Sequence, residues 1–268
     1  MRIIRSLRDL RSVDKLVSYE SFAHALAASN SYEDPRLVEV VKEKTKRYRD
    51  AFTASPRKVE SRQTAQNMFV LSHVEPARLI NVCEVGGACG ASYFELKHLL
   101  PNRIAQWSIV ETPAMAQAGN DLNNDEALSF HSDLHSAAEQ LASRDLAIAQ
   151  GVLQYTPDPL ATLKALFELR FSYVYITRTA VADVDSPVYI NQETELAAHG
   201  PGRLPNAPTG KSTQPLTLVN AASLLSAIPA NYETVFNFVE SDDRVLAAGD
   251  RRVTARDIGF LARLHAPA

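Results

Sequence analysis

From residue 80 onward, short apolar runs alternate with amphipathic stretches. Runs at 80–85, 107–111, 128–131, 145–150 and 173–178 have strand length and are bounded by turn residues, so they predict strands. Between them, residues 91–100, 113–120, 135–142 and 159–169 carry helical spacing. Such alternation predicts an α/β fold with a mostly parallel sheet covered on both faces. The first 75 residues read as helical instead. Ile3, Leu7, Leu10, Val13, Leu16 and Val17 recur at helical spacing, with Arg2, Arg5, Arg8 and Arg11 on the other, solvated side. Tyr19-Glu20-Ser21-Phe22 opens a short helix, and Asp34-Pro35 starts a longer one with Leu37, Val40, Val41 and Tyr48 on one side. Glu60 to Leu79 predicts a third. The chain therefore divides into an N-terminal helical cap or lid, residues 1–75, and an α/β domain, residues 76–268.

Residues 183–217 break the rhythm. Asp183, Asp185, Pro187, Gly200-Pro201-Gly202, Pro205, Pro208 and Gly210 fall there with little periodicity, which predicts a long loop overhanging the strand ends. Beyond it, Tyr232–Phe238 and Arg244–Ala248 read as two strands joined by Glu240-Ser241-Asp242-Asp243, an antiparallel edge hairpin.

The first strand carries the densest chemistry. Ile80-Asn81-Val82-Cys83-Glu84-Val85 ends in an acid, Gly86-Gly87-Ala88-Cys89-Gly90 turns sharply, and Ala91-Ser92-Tyr93-Phe94 starts a helix. This is the strand–loop–helix of a nucleotide-binding unit, in which glycines admit a ligand to the backbone and the helix N-terminus aims its amides at it. A dinucleotide loop needs a glycine where Ala88 stands, to bring pyrophosphate to the main chain. S-adenosylmethionine (SAM) has no pyrophosphate, and for it Glu84, Gly86-Gly87 and Gly90 suffice. Trp107-Ser108-Ile109-Val110-Glu111 supplies a second strand ending in an acid, 21 residues beyond Gly90, where a carboxylate accepts ribose hydroxyls. Ser132-Asp133 ends the third strand, where an adenine amino group would be bound. Together these favour SAM over NAD. Ligands of such sheets sit at the carboxyl ends of the strands, which gathers Glu84, Glu111, Asp133, Gln150 and Arg178 around one crevice.

Composition narrows the partners. At 268 residues, 46% hydrophobic and 22% charged, the chain is an ordinary globular one. A net charge of −3 gives no basic field, so no nucleic-acid partner is expected. No run reaches membrane-spanning length and no secretory leader is legible, which predicts a cytoplasmic protein. The two cysteines, Cys83 and Cys89, lack zinc-site spacing, so no metal is expected. The amphipathic first helix fits a homodimer and a self-capped monomer equally. His131 and His135 read as packing or surface groups rather than bases, and His199 reads equally as a lid residue and as a solvated loop histidine.

In these residues the chain resembles the class I SAM-dependent methyltransferases, and within them a bacterial group found in natural-product and surface-polysaccharide clusters. The resemblance runs through Tyr19-Glu20-Ser21-Phe22, Ser31-Tyr32-Glu33-Asp34, Glu84 to Gly90 with Tyr93-Phe94, and Val110-Glu111-Thr112-Pro113. It continues in Gly151-Val152-Leu153-Gln154-Tyr155, Asp158-Pro159 and Thr177-Arg178-Thr179. The chain departs from that group at Gly210 to Thr217, where an aromatic segment with a tryptophan is expected.

The resemblance implies a seven-stranded Rossmann-like sheet and SAM as cosubstrate. Glu84, Gly86, Gly87, Gly90 and Tyr93 would border its methionine part, Glu111 and Thr112 its ribose, and Ser132 and Asp133 its adenine. Gln150 and Gly151 would lie beneath the sulfonium. Tyr93, Tyr155, Tyr173 and Tyr175 border the expected crevice; Tyr155 and Tyr175 are expected to face the sulfonium, and Arg178 to bind a carboxylate. Methyl transfer to a small molecule of secondary metabolism is the activity implied. The same group includes enzymes resembling azetidine-2-carboxylate synthases, which cyclise SAM and release 5′-methylthioadenosine.

Overall fold

A computed structural model describes residues 15–54, 62–249 and 251–265. The expected first helix lies, up to residue 14, outside the described residues; Leu16 and Val17 correct it at its end. They lie in an extended segment, β1 (Lys15–Leu16) and β2 (Ser18–Tyr19). Next come α1 (Phe22–Ala27), capped by the Ser21 side chain, and α2 (Pro35–Ala54), whose first turn is held by the Asp34 carboxylate on the Arg36 amide at 2.9 Å. Of the third expected helix, residues 60 and 61 lie outside the description and α3 spans Arg62–His73.

The rhythm from residue 80 onward is then realised. β3 (Ile80–Val85), α4 (Ala91–Leu99), β4 (Ile104–Val110) and α5 (Pro113–Leu122) lead to β5 (Leu128–His131) and α6 (Leu134–Glu139). β6 (Leu146–Gln150), α7 (Pro159–Glu168) and β7 (Tyr173–Ala182) complete the parallel part. Alanine and branched apolar residues buried on both faces of β6 explain why it reads as a continuous apolar run.

The segment expected as a loop contains two strands, β8 (Val188–Glu195) and β9 (Lys211–Leu218), which pair with β2 in a second, three-stranded sheet. Only residues 199–210 join them without strand or helix. Val188, Ile190, Gln192 and Thr194 alternate inward along β8, and this row turns from apolar to polar halfway. The change conceals the strand from any hydrophobic pattern.

After α8 (Ala221–Ser226) come β10 (Tyr232–Val239), β11 (Arg244–Ala248) and β12 (Arg251–Leu264). The expected hairpin does not form. β10 and β11 each pair antiparallel with β12, at Ile258–Leu264 and Arg251–Ala255 respectively. Arg251, Arg252, Arg256 and Asp257 break the apolar pattern of β12 and hid it. β12 in turn runs antiparallel to β7.

The main sheet is thus Rossmann-like, with its seven principal strands in the order β5-β4-β3-β6-β7-β12-β10, parallel from β5 to β7. One face packs against α3, α4 and α5 through Leu71, Phe94, Trp107 and Ile148; the other packs Leu163, Leu166 and Phe167 of α7 on Ala147, Val174 and Ile176. The chain builds outward from β3 to β5, then returns to β6 on the other side of β3. That reversal opens a crevice at the carboxyl ends of β3 and β6.

Candidate functional site

The turn after β3 is shaped around one carboxylate. A Cβ at Gly86, where φ is +75°, would sit 2.6 Å from Val152, and one at Gly87 would sit 2.7 Å from Glu84 Oε2. Gly90 caps α4 in the left-handed region and leaves the first amides of that helix without a side-chain cap. Glu84 itself is buried and accepts the Trp107 indole N–H at 3.0 Å. Burial pushes its pKa up to about 7, against the opposing pull of the Trp107 bond.

Glu111, at the end of β4, faces the same turn. Its Oε1 accepts the Ala88 amide at 2.8 Å and its Oε2 the Thr112 amide at 3.0 Å. To offer that amide, Ala88 adopts a left-handed φ of +49°, a strain of about 1–2 kcal/mol for a residue with a Cβ. Burial raises the Glu111 pKa and the two amides oppose the rise. The Thr112 hydroxyl beside it is buried without a hydrogen-bond partner among the described residues.

On the other side of the switch point, β6 and β7 meet α3. Gln150 donates to Asn67 Oδ1 at 2.8 Å and accepts from Gln63, while Arg178 donates to the second side of the Gln63 amide. Arg178 has a left-handed φ of +54° at a bulge: Thr179 pairs Ile258 and Ile176 pairs Phe260, so Gly259 alone opposes two residues. The bulge re-aims the guanidinium over Gly151, where a Cβ would lie 2.8 Å from Nη2. Glu240 locks the bulge by accepting the Thr177 hydroxyl at 2.7 Å and the Arg178 amide. Gln63 and Asn67 escaped the sequence reading; their i, i+4 spacing on one helical face is the signal that was available.

The polar half of the small sheet forms an overhang. Tyr155 donates to Gln192 Oε1 at 2.7 Å, and the Tyr32 ring meets it edge-on with centroids 5.2 Å apart. Behind Tyr32, His199 shares a 2.7 Å hydrogen bond with Thr194. Burial, with Lys44 adding to it, pushes the His199 pKa down to about 4, so this imidazole is neutral. Lys44 donates to the carbonyls of Ala197 and His199 and ties α2 to the overhang.

Glu84, Gly86, Gly87, Glu111 and Thr112 thus gather at the turn after β3, Gln150, Gly151 and Arg178 face them across the switch point, and Tyr155 stands on the overhang. The missing side chain of Gly90, by contrast, faces Phe130 and Leu128 in the core. Ser132 and Asp133 lie exposed at the end of β5, where Asp133 Oδ1 caps α6 through the Ser136 amide at 2.8 Å. Two expectations are corrected. Tyr93 is fully buried against Trp107, and its hydroxyl donates to Asp125 at the amino-terminal edge of β5, away from the crevice. Tyr175 is buried in the sheet core beneath α3 rather than in the crevice. Tyr93 lies on the core-facing side of α4 and Tyr175 on the α3-facing side of β7, which turns both rings toward apolar neighbours. Cys83 and Cys89 are buried thiols whose pKa values burial pushes up to about 12.

No protein-family profile matches the chain, and no curated protein matches it in sequence. Among solved structures, it is similar to the N-terminal domain of EvdMO1 with SAH bound, at 16% identity over 76% of this chain and 82% of that one, with a TM-score of 0.46. The sugar N-methyltransferase KedS8 from Streptoalloteichus aligns at 16% identity over 81% of this chain and 92% of that one, with a TM-score of 0.44. The YcgJ protein from Bacillus subtilis aligns at 9% identity over 76% and 100% of the two chains, with a TM-score of 0.46.

Proposed function

We propose that the crevice binds SAM and that the protein transfers its methyl group to a small molecule. The observation that carries this reading is the pairing of two strand-end carboxylates around a glycine turn with a cation across the switch point. Glu84 suits an ammonium, Glu111 a ribose diol, and the Arg178 guanidinium a carboxylate, as a bidentate partner. Gly86 and Gly87 keep open the space that a Cβ would fill, and the unpartnered Thr112 hydroxyl offers one more hydrogen bond at the Glu111 end. Nothing in the turn offers a cation to a pyrophosphate.

Bound there, SAM supplies an already activated methyl group. The chain's own contribution is positioning: the end of β6 sets the floor, while Tyr32 and Tyr155 wall the crevice and exclude water. Ring faces beside a sulfonium contribute about 0.5–2 kcal/mol. His199 is a weak base there, since burial pushes its pKa down to about 4 and its Nε2 shares a hydrogen bond with Thr194. We read the described residues before α3 as the lid, which supplies Tyr32, while α3, packed on the sheet, brings Gln63 and Asn67 to the crevice.

Calorimetric titration with SAM tests the site. Glu111→Ala is expected to weaken binding at least tenfold, and unchanged affinity would sink the assignment. Mass spectrometry after incubation with SAM and no acceptor tests the reaction. Intact SAM is the expected result; 5′-methylthioadenosine with azetidine-2-carboxylate would replace methyl transfer by cyclisation.

A further inference from the structure

An open cleft lies on the sheet face that α3 leaves partly uncovered. It has a volume of about 460 Å³ and lies between α3 and β10, lined by Arg62, Phe69, Val70, Tyr175, Phe236 and Phe238. This volume lies in the range of small-molecule sites. The Phe69 ring is 60% exposed on one wall, with its centroid 6.0 Å from that of Phe236. Phe238 is held in place by packing directly on Gly259, where a Cβ would stand 2.5 Å from its ring.

The cavity has a polarity. α3 starts at the crevice, where Gln63 joins Gln150 and Arg178, and descends away from it, so Arg62 marks the crevice end and Phe69 the distal end. Seven residues of helix separate them, about 10 Å. Among the described residues Arg62 meets no carboxylate, and its hydrogen bond runs to the Glu240 carbonyl at 3.4 Å. Arg62 lays its apolar stem along the wall and holds its exposed guanidinium at the rim, an arrangement complementary to an amphiphile with an anionic head.

We propose that the α3–β10 cleft binds an amphiphilic carboxylate, an acyl or aryl acid. Its apolar body lies along Phe69, Phe236 and Phe238, and its head pairs with Arg62 beside the crevice. The head then lies at the threshold of Gln63 and Arg178, which makes this ligand class the methyl acceptor. A carboxylate oxygen bonds to the methyl carbon as the carbon–sulfur bond breaks, the sulfur keeps the electron pair, and a methyl ester and neutral S-adenosylhomocysteine leave. That last step rests on the SAM reading, whereas binding in the cleft does not.

Calorimetry on the full chain with decanoate, decan-1-ol and decylamine tests the site, with SAM titrated separately into each protein. Decanoate is expected to bind about tenfold tighter than the alcohol and amine, the worth of a charge-assisted pair. Arg62→Ala is expected to remove that preference, and Phe69→Asp to abolish binding while leaving SAM affinity within about twofold. No heat with decanoate at millimolar concentration, equal binding of decylamine, or binding indifferent to Phe69→Asp would overturn the proposal. Decanoate binding without SAM binding would retain the cleft and reject the cofactor reading; the reverse would do the opposite.

Discussion

Glu84 links the stability of the empty protein to the chemistry proposed for it. Its ordinary pKa of about 4.3 is raised toward 7, so the fold favours the protonated form. The stability this contributes is complete below about pH 4 and is lost as pH rises toward 7. Glu84→Gln keeps the neutral shape at every pH. Urea unfolding is expected to find the variant more stable than the parent by about 2–3 kcal/mol near pH 8, with no gain near pH 4. SAM binding should fall in the same variant, and a variant that is not stabilised near pH 8 would mean that the carboxylate is not penalised by burial. Arg178 offers a second comparison. Its left-handed backbone favours glycine, so Arg178→Gly is expected to be more stable than Arg178→Ala by about 1 kcal/mol. Both should weaken SAM binding, and equal denaturation midpoints would remove the strain argument. The acids at the strand ends were legible because each closes an apolar run. The left-handed turn at Arg178 was not, because nothing local distinguishes it from the residues around it.

At the scale of elements, α3 is fastened by amides as well as by apolar contacts. Asn67 and Gln150 are both buried and pair with each other, and Gln150 also accepts from Gln63. Asn67→Leu would leave the Gln150 amide short of a partner, at a cost of about 1–3 kcal/mol. The N-terminal turn of α3 should also exchange its amides faster. Hydrogen exchange confined to the level of the parent would show that the apolar contacts of Val70 and Leu71 suffice to hold the helix. The strands and helices from β3 to β7 were readable because local periodicity suffices for elements buried in regular layers. β8, β9 and β12 were not: Gln192, Thr194 and Asp257 are buried polar residues that look exposed until their partners are known.

For the whole molecule, two buried acids set opposite slopes of stability against pH. Burial alone would raise Asp145, but the bonds from Arg78, the Asn81 amide and Ser143 outweigh it and lower its pKa. Its contribution is present above the ordinary aspartate range and is lost as pH falls below about 4. With Glu84 falling away above, thermal unfolding of the empty protein is expected to peak near pH 5, and saturating SAM to move the maximum toward neutrality. A maximum near pH 8 without ligand would contradict the Glu84 environment. Among the described residues no helix is long and apolar enough to cross a membrane. By itself the sequence determined the alternation of β and α, the glycine turn after β3 and the acids that end β3 and β4, because each depends on residues close in the chain. The tertiary structure alone decided that Tyr93 and Tyr175 turn into the core, that β10 and β11 share β12, and that Gln63 and Asn67 reach Gln150. Those outcomes depend on which distant segments pair and in what register, and a shift of one residue in a strand exchanges its two faces.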